Sequence, residues 1–210
     1  MKIQFLSLAS GSSGNCYYLG TDTYGILIDA GIGVRTIKKI MKEFGLVFEQ
    51  IQAVFVTHDH ADHIKAVGTL GEKYGIPIYA TPETHKGINK SYCMTEKLSS
   101  SIRYIYKDTP LTLKDFTITA FEVPHDGTDN VGYCIEIDGK VEQIDPDALG
   151  RDEVGKRQNG TGIVMRGVNH PRVIGISDHG VTRTEAPLLY LEGIASLLGK
   201  ISQIVKKGRL

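Results

Sequence analysis

Thr57-His58-Asp59-His60-Ala61-Asp62-His63 gathers three of the chain's seven histidines into one short segment. Neutral imidazoles suit borderline divalent metals and carboxylates complete their shells, so His58, His60, Asp62 and His63 are four candidate ligands on one turn. A solvated loop has little reason to collect them. Side chains alternate along an extended chain, so His58 and His60 can grip one metal while the chain bends to offer Asp62 and His63 to another. The spacing therefore points to two adjacent metals, each needing further ligands from elsewhere. Of the remaining histidines, His125 follows Pro124 directly after an apolar strand pattern, a rigid strand-end position suited to ligation. His85 falls within a helical pattern on what reads as its polar face, and is expected to be solvated.

These side chains need elements that place them. Residues 51–56 form a short apolar, β-branched run that stops at the histidines, and Ile64, Val67, Leu70 and Tyr74 beyond them are spaced as a helix. The cluster thus sits where a strand hands over to a helix. Residues 2–9 and 24–29 alternate as strands, with the loop Ser10-Gly11-Ser12-Ser13-Gly14-Asn15 between them. Its small residues allow close backbone approach, so Ser10, Ser12, Ser13 and Asn15 with the amides of Gly11 and Gly14 form a candidate phosphate nest. Val34, Ile37, Ile40, Met41 and Phe44 recur at three- and four-residue steps, a helix over 34–44 that Gly45 stops. Residues 77–80 read as a strand, followed by a helix that Thr81-Pro82 caps. Strands are expected at 102–105, 116–121 and 131–137, with Asp138-Gly139 as a hairpin signal, then at 163–165 and 173–176. Residues 184–198 read as a helix with Pro187 in its first turn. The order predicts a layered α/β architecture, two sheets inside and helices on both outer faces.

Composition narrows the function classes. Lys plus Arg and Asp plus Glu number 24 each, so the formal charge is zero and no global field draws the chain to a polyanion. A histone-like binder is excluded, and any site for nucleic acid must be local. No apolar run approaches the roughly 20 residues of a membrane span, and the start alternates before meeting a Gly/Ser loop, unlike a signal peptide. A cytoplasmic protein with no membrane partner is expected. Cys16, Cys93 and Cys134 are odd in number and form no CxxC, which suits reduced thiols. With 41% hydrophobic residues the chain can build a sizeable core, and residues 1–210 are expected to form one domain.

The segment from Thr57 to His63 matches the HxHxDH signature of the metallo-β-lactamase superfamily, and Ile26-Leu27-Ile28-Asp29-Ala30-Gly31 resembles that superfamily's earlier Asp strand. Leu8-Ala9-Ser10-Gly11-Ser12-Ser13-Gly14-Asn15 and Val123-Pro124-His125-Asp126 further resemble its bacterial WalJ/YycJ type. The resemblance covers some two-thirds of the chain, to about Gly139, and the part from about residue 140 is divergent or shortened. It implies an αββα sandwich of two mixed β-sheets flanked by helices, with the metals at one edge. It also implies that His58, His60 and His125 hold the first metal, that Asp62 and His63 hold the second, and that Asp29 orients the histidine loop through hydrogen bonds. Asp147 stands at the distance of the metal-bridging aspartate, with Asp145 as its competitor, and His179 in Ile176-Ser177-Asp178-His179 stands in the last ligand position. Asn169-His170 resembles a family Asn-His pair, which leaves His170 to face the substrate as a catalytic group, to substitute as a ligand, or to end a strand.

The expected reaction is hydrolysis by water activated between two divalent ions, with Asp62 in the machinery. Zinc suits the histidine-rich set, while the carboxylates also admit manganese or iron. The resemblance implies phosphodiester cleavage, 5′ exonuclease-like on DNA. Two other readings stand beside it: hydrolysis of a small ester, thioester or lactone, since the same metal pair polarises a carbonyl, and a metal-binding regulatory domain without turnover.

Overall fold

The computed structural model describes residues 4–122 and 127–137, together with the backbone strands Gln143–Ile144, Ile163–Gly167, Arg172–Ser177 and Gly180–Glu185. Two mixed sheets form the frame. In chain order the strands are β1 (Gln4–Ala9), β2 (Cys16–Gly20), β3 (Gly25–Ile28), β4 (Ile51–Phe55), β5 (Ile78–Ala80), β6 (Ile102–Tyr104), β7 (Leu111–Leu113), β8 (Phe116–Glu122) and β9 (Val131–Ile137). The four backbone strands follow as β10 to β13. One sheet runs β10-β1-β2-β3-β4-β5-β6 and the other β13-β12-β11-β9-β8-β7. β3, β4, β5 and β6 are mutually parallel, while the β1–β2–β3 meander and the β7–β8–β9 meander are antiparallel.

Alternation along each strand sorts the core into two layers. Tyr17, Leu19, Ile26, Ile28, Ala53 and Phe55 face the second sheet and pack with Phe116, Ile118, Ala120, Val131, Tyr133 and Ile135. The residues between them, Cys16, Tyr18, Leu27, Val54 and Val56, face the other way onto Ile37 and Met41 of helix α1 (Val34–Glu43), Ile64 beyond β4, and Ile88 of helix α3 (Pro82–Lys90). A strand buried on both faces reads as an unbroken apolar run, as Gly-Ile-Leu-Ile of β3 does. Burying a large apolar side chain contributes roughly 1.5–3 kcal/mol, so these two layers dominate the favourable side of folding.

Most sequence expectations match. α1 spans the periodic stretch, and Thr81 caps α3 by accepting from the Thr84 amide at 3.2 Å, with Pro82 in the first turn. Four features differ. β2 falls where no strand was expected, because Cys-Tyr-Tyr-Leu-Gly is buried on both faces and carries no alternation. β7 and β13 were likewise unmarked, and Thr184 and Glu185 lie in β13 rather than in a helix, paired with Val173 and Arg172. The remainder of the expected 184–198 helix, and Asp138-Gly139, lie outside the described residues. The helix after the histidines is not continuous: α2 (Ala61–Ile64) gives way to a turn and then to a wider π-type turn at Thr69–Lys73. Glu72 on that wide turn accepts from the backbone N–H and hydroxyl of each of Ser99, Ser100 and Ser101, which holds its carboxyl well below the usual range.

Candidate metal centre

β4 delivers Thr57 and His58 to one edge of the sandwich, and two bonds from the second sheet fix that end. Tyr133 donates its hydroxyl to the Val56 carbonyl at 2.7 Å, and the Val131 amide donates to the Thr57 carbonyl at 3.1 Å. Burial, with Asp29 and Asp129 adding to it, pushes the Tyr133 phenol well above its ordinary range, so it remains a donor. Beyond His58 the chain turns at His60 into α2, where the His63 amide donates to the His60 carbonyl at 2.9 Å. The rings of His58 and His60 lie 4.5 Å apart between centroids and those of His58 and His63 4.0 Å apart. The two imidazoles at the back, His58 and His63, are buried, whereas His60 and Asp62 are partly open to solvent.

Asp29 organises this cluster. It leaves β3 in the left-handed region (φ 57°), a conformation that costs a non-glycine residue energy and recurs at functional sites. Its Oδ1 accepts from the Thr57 amide at 2.8 Å, and its Oδ2 from the Thr57 hydroxyl and from His63 Nδ1, both at 2.8 Å. The Thr57 hydroxyl, having donated to Asp29, accepts from His58 Nδ1 at 3.0 Å. These partners assign the proton of both rings to Nδ1 and leave Nε2 as the basic nitrogen of each. A carboxylate that fixes the tautomer of a ligating histidine is the usual support of a metal site.

Asn15 closes the other side. Its side-chain amide lies 3.1 Å from His63 Nε2 and 3.4 Å from Asp62 Oδ2, while its Oδ1 accepts from the Gly11 amide at 3.0 Å. The expected nest is thereby corrected, because the Gly11 amide is used by Asn15 and the Gly14 amide donates to the Gly11 carbonyl at 3.0 Å. Ser10 accepts from the Tyr17 hydroxyl, and Ser12 is exposed. The loop packs on Gly31, whose amide donates to the Asn15 carbonyl; a Cβ there would run into the Asp62 carbonyl oxygen, so only glycine fits.

Among the described residues, no three His, Cys, Asp or Glu side chains already stand at chelating spacing. Chemically the donors fit divalent ions nonetheless: two rings with Nε2 basic, a third ring beside them and the Asp62 carboxylate. Of the other expected ligands, His125, Asp147, Asp145 and His179 lie outside the described residues, as does His170. His85 is a correction. It is 3% exposed rather than solvated, because Thr84, His85, Gly87 and Ile88 form the packed face of α3. Its Nε2 bonds the Arg103 carbonyl at 2.9 Å, its ring meets Tyr104 edge-on, and burial pulls its pKa down against the Arg103 bond.

Sequence reasoning did not single out Thr57, or Asp59 between the first two histidines. Asp59 accepts from both the amide and the hydroxyl of Thr128, tying the histidine loop to residues 127–130. The next residue of that stretch, Asp129, accepts from Thr81 at 2.6 Å and pairs with Lys107 at 2.7 Å. No local pattern could announce Asp59, since its partner is 69 residues away.

A model of the beta-lactamase superfamily domain matches residues 24–144, more than half of the chain, and the chain belongs to that superfamily. It is 32% identical over 135 residues to the exodeoxyribonuclease YycJ of Bacillus anthracis, covering 64% of this chain and 50% of that protein. It is 38% identical over 120 residues to the exodeoxyribonuclease WalJ of Streptococcus pneumoniae, covering 57% of this chain and 44% of that one. The chain thus spans about half the length of the curated relatives it matches. A metallo-β-lactamase of Cronobacter sakazakii superposes with a TM-score of 0.51 at 16% identity, over 63% of this chain and 60% of its own, which shows the fold. No helix among the described residues is long and apolar enough to cross a membrane.

Proposed function

We propose that the protein is a cytoplasmic metal-dependent hydrolase with a dinuclear site, a phosphodiesterase that removes nucleotides from the 5′ end of DNA. The observation that carries this reading is the convergence of His58, His60 and His63 on the sheet edge, with Asp29 and Thr57 fixing His58 and His63 so that Nε2 is the basic nitrogen of both. Similarity to proteins named exodeoxyribonucleases supports the substrate class.

In this reading His58, His60 and His125 hold one ion, Asp62 and His63 hold the other, and Asp147 or Asp145 with His179 completes the set. Two bound divalent ions, zinc in the first instance, supply a water activated at neutral pH and neutralise charge on the phosphodiester. The chain's own groups do the rest. Asp29 and Thr57 hold the rings, so that binding the ions requires little rearrangement of His58 and His63. Asp62, one-third exposed beside His63, would ligate the ion and contact an incoming water. His170 is assigned to the substrate side. Metal analysis joined to a panel of linear DNA, RNA, a small phosphodiester and a thioester, run on wild type and His60→Ala, tests the proposal. Metal-dependent release of nucleotides from DNA that His60→Ala abolishes is expected; activity on the thioester alone would overturn it.

A further inference from the structure

We propose that Lys90, Ser91 and Tyr92, at the end of α3, form a subsite that holds the nucleotide next to the reacting one on a single-stranded nucleic acid, Lys90 taking its phosphate and Tyr92 stacking on its base. The inference rests on the nuclease reading for its substrate class, and on a separate set of observations for its place.

A groove opens directly beside the histidine loop, lined by Asp59, His60, Gly87, Lys90, Ser91 and the 127–128 turn. Gly87 sets how close α3 comes, because a Cβ at that position would run into the Asp59 carboxylate. Positions three and four residues further on share the helix face of Gly87, so Lys90 and Ser91 lie along the same groove wall. The helix ends there: Ser91 turns extended (φ −62°, ψ 136°), and the chain leaves the wall at Tyr92.

Charge at this wall suits a phosphate. Lys90 is exposed and forms no ion pair among the described residues, whereas Lys86, one turn earlier, is paired with Glu83. Lys97 donates to the Ser91 carbonyl at 2.9 Å and brings a second cation to the same turn. The one carboxylate of the groove, Asp59, is engaged by Thr128. In a chain of zero net charge, this is a local basic site next to the metal loop.

Tyr92 is 93% exposed, the most open large apolar side chain of the described residues, yet it stands on an anchored segment. Asn89 exchanges two hydrogen bonds with Leu98, at 2.8 and 3.0 Å, and Met94 is buried. An aromatic ring displayed on a fixed turn, two residues beyond a groove-lining lysine, suits binding of single strands by stacking and phosphate contact.

The test is fluorescence anisotropy with a labelled oligodeoxythymidylate about ten nucleotides long, within the usual range of single-strand sites, on the metal-loaded full chain. Tyr92→Ala is expected to weaken binding about fivefold or more, and Tyr92→Phe to restore it, since stacking needs only the ring. Lys90→Gln should weaken binding and lower the salt slope by about 0.7, the loss of one phosphate contact on a single strand. Tyr106→Ala, at an exposed aromatic outside the groove, should bind as wild type does. Wild-type affinity in Tyr92→Ala and Lys90→Gln, or no binding by wild type, would overturn the subsite. Cleavage of the same oligonucleotide separates the two readings: binding that depends on Tyr92 and Lys90 without any cleavage would keep the subsite and sink the nuclease, and cleavage with indifferent variants would do the reverse.

Discussion

Asp29 accepts three hydrogen bonds at 2.8 Å, and each fixes part of the histidine loop. Asp29→Asn keeps the shape but removes the charge that holds the Nδ1 proton of His63, so metal affinity should fall about 10- to 100-fold. A chelator-competition titration measures it, and unchanged affinity would remove Asp29 from the site. Asp29 was legible only through the family resemblance, and Thr57 was not legible as a functional group, because its bridging hydroxyl depends on where β3 ends. His85 was misread for a related reason: its neighbours in sequence are polar, but its helix face is set by packing against β5 and β6. Buried and held neutral, it has a folded pKa below its ordinary 6.5. The unfolded state then binds more protons, so this contribution is complete above pH 6.5 and is lost as pH falls through it. His85→Ala should cost about 1–3 kcal/mol at neutral pH and flatten the fall of stability below pH 6.5 relative to wild type. Urea unfolding at several pH values gives the difference, which also removes the contributions of His58 and His63; a parallel pH profile would contradict the assignment.

At the scale of elements, the site depends on how closely the β3 exit packs on the start of α2. The Ala30 amide donates to the His63 carbonyl and the Ala66 amide to the Ala30 carbonyl, both at 2.8 Å, with Gly31 wedged against Asp62. Gly31→Ala must push the α2 turn away and should lower both metal content and stability, whereas Gly33→Ala, which meets open space, should change neither. Metal analysis on the two purified variants decides it. The wide turn at Thr69–Lys73 offers a second check. Glu72 has its pKa held below the ordinary carboxylate value by the Ser99–Ser101 bonds, so its stabilisation is present above about pH 4.5 and lost on acidification. Glu72→Gln should therefore lose stability near neutrality and show a shallower acid limb in unfolding scans. Period-3.6 spacing identified a helix there but gave no sign of its break, because the break is set by a serine turn 27 to 29 residues away. β2 was unreadable for the opposite reason, since a strand buried on both faces has no period of two to detect.

For the whole molecule, the two sheets meet at the site, and this is where the metals are expected to act on stability. His58 and His60 follow β4 of one sheet and His63 lies in α2 just beyond, while His125 comes after β8 of the other in the sequence. The end of β4 is joined to β9, the strand paired with β8, by the Tyr133–Val56 and Val131–Thr57 bonds. Ions shared between both ends would cross-link the sandwich, and any ligand that binds only the folded state stabilises it by mass action, about 2.7 kcal/mol at a hundredfold excess over Kd. For a chain of this size that is a rise in Tm of about 5–10 °C. Calorimetry with zinc, with manganese and after chelation should show it. His60→Ala and Asp62→Ala, on partly exposed side chains, should lose most of the shift while their metal-free Tm stays close to wild type, because neither lies in either core layer. If metal left Tm unchanged in wild type, the donors from the two sheets would not share ions, and the expectation for His125 would fall with it.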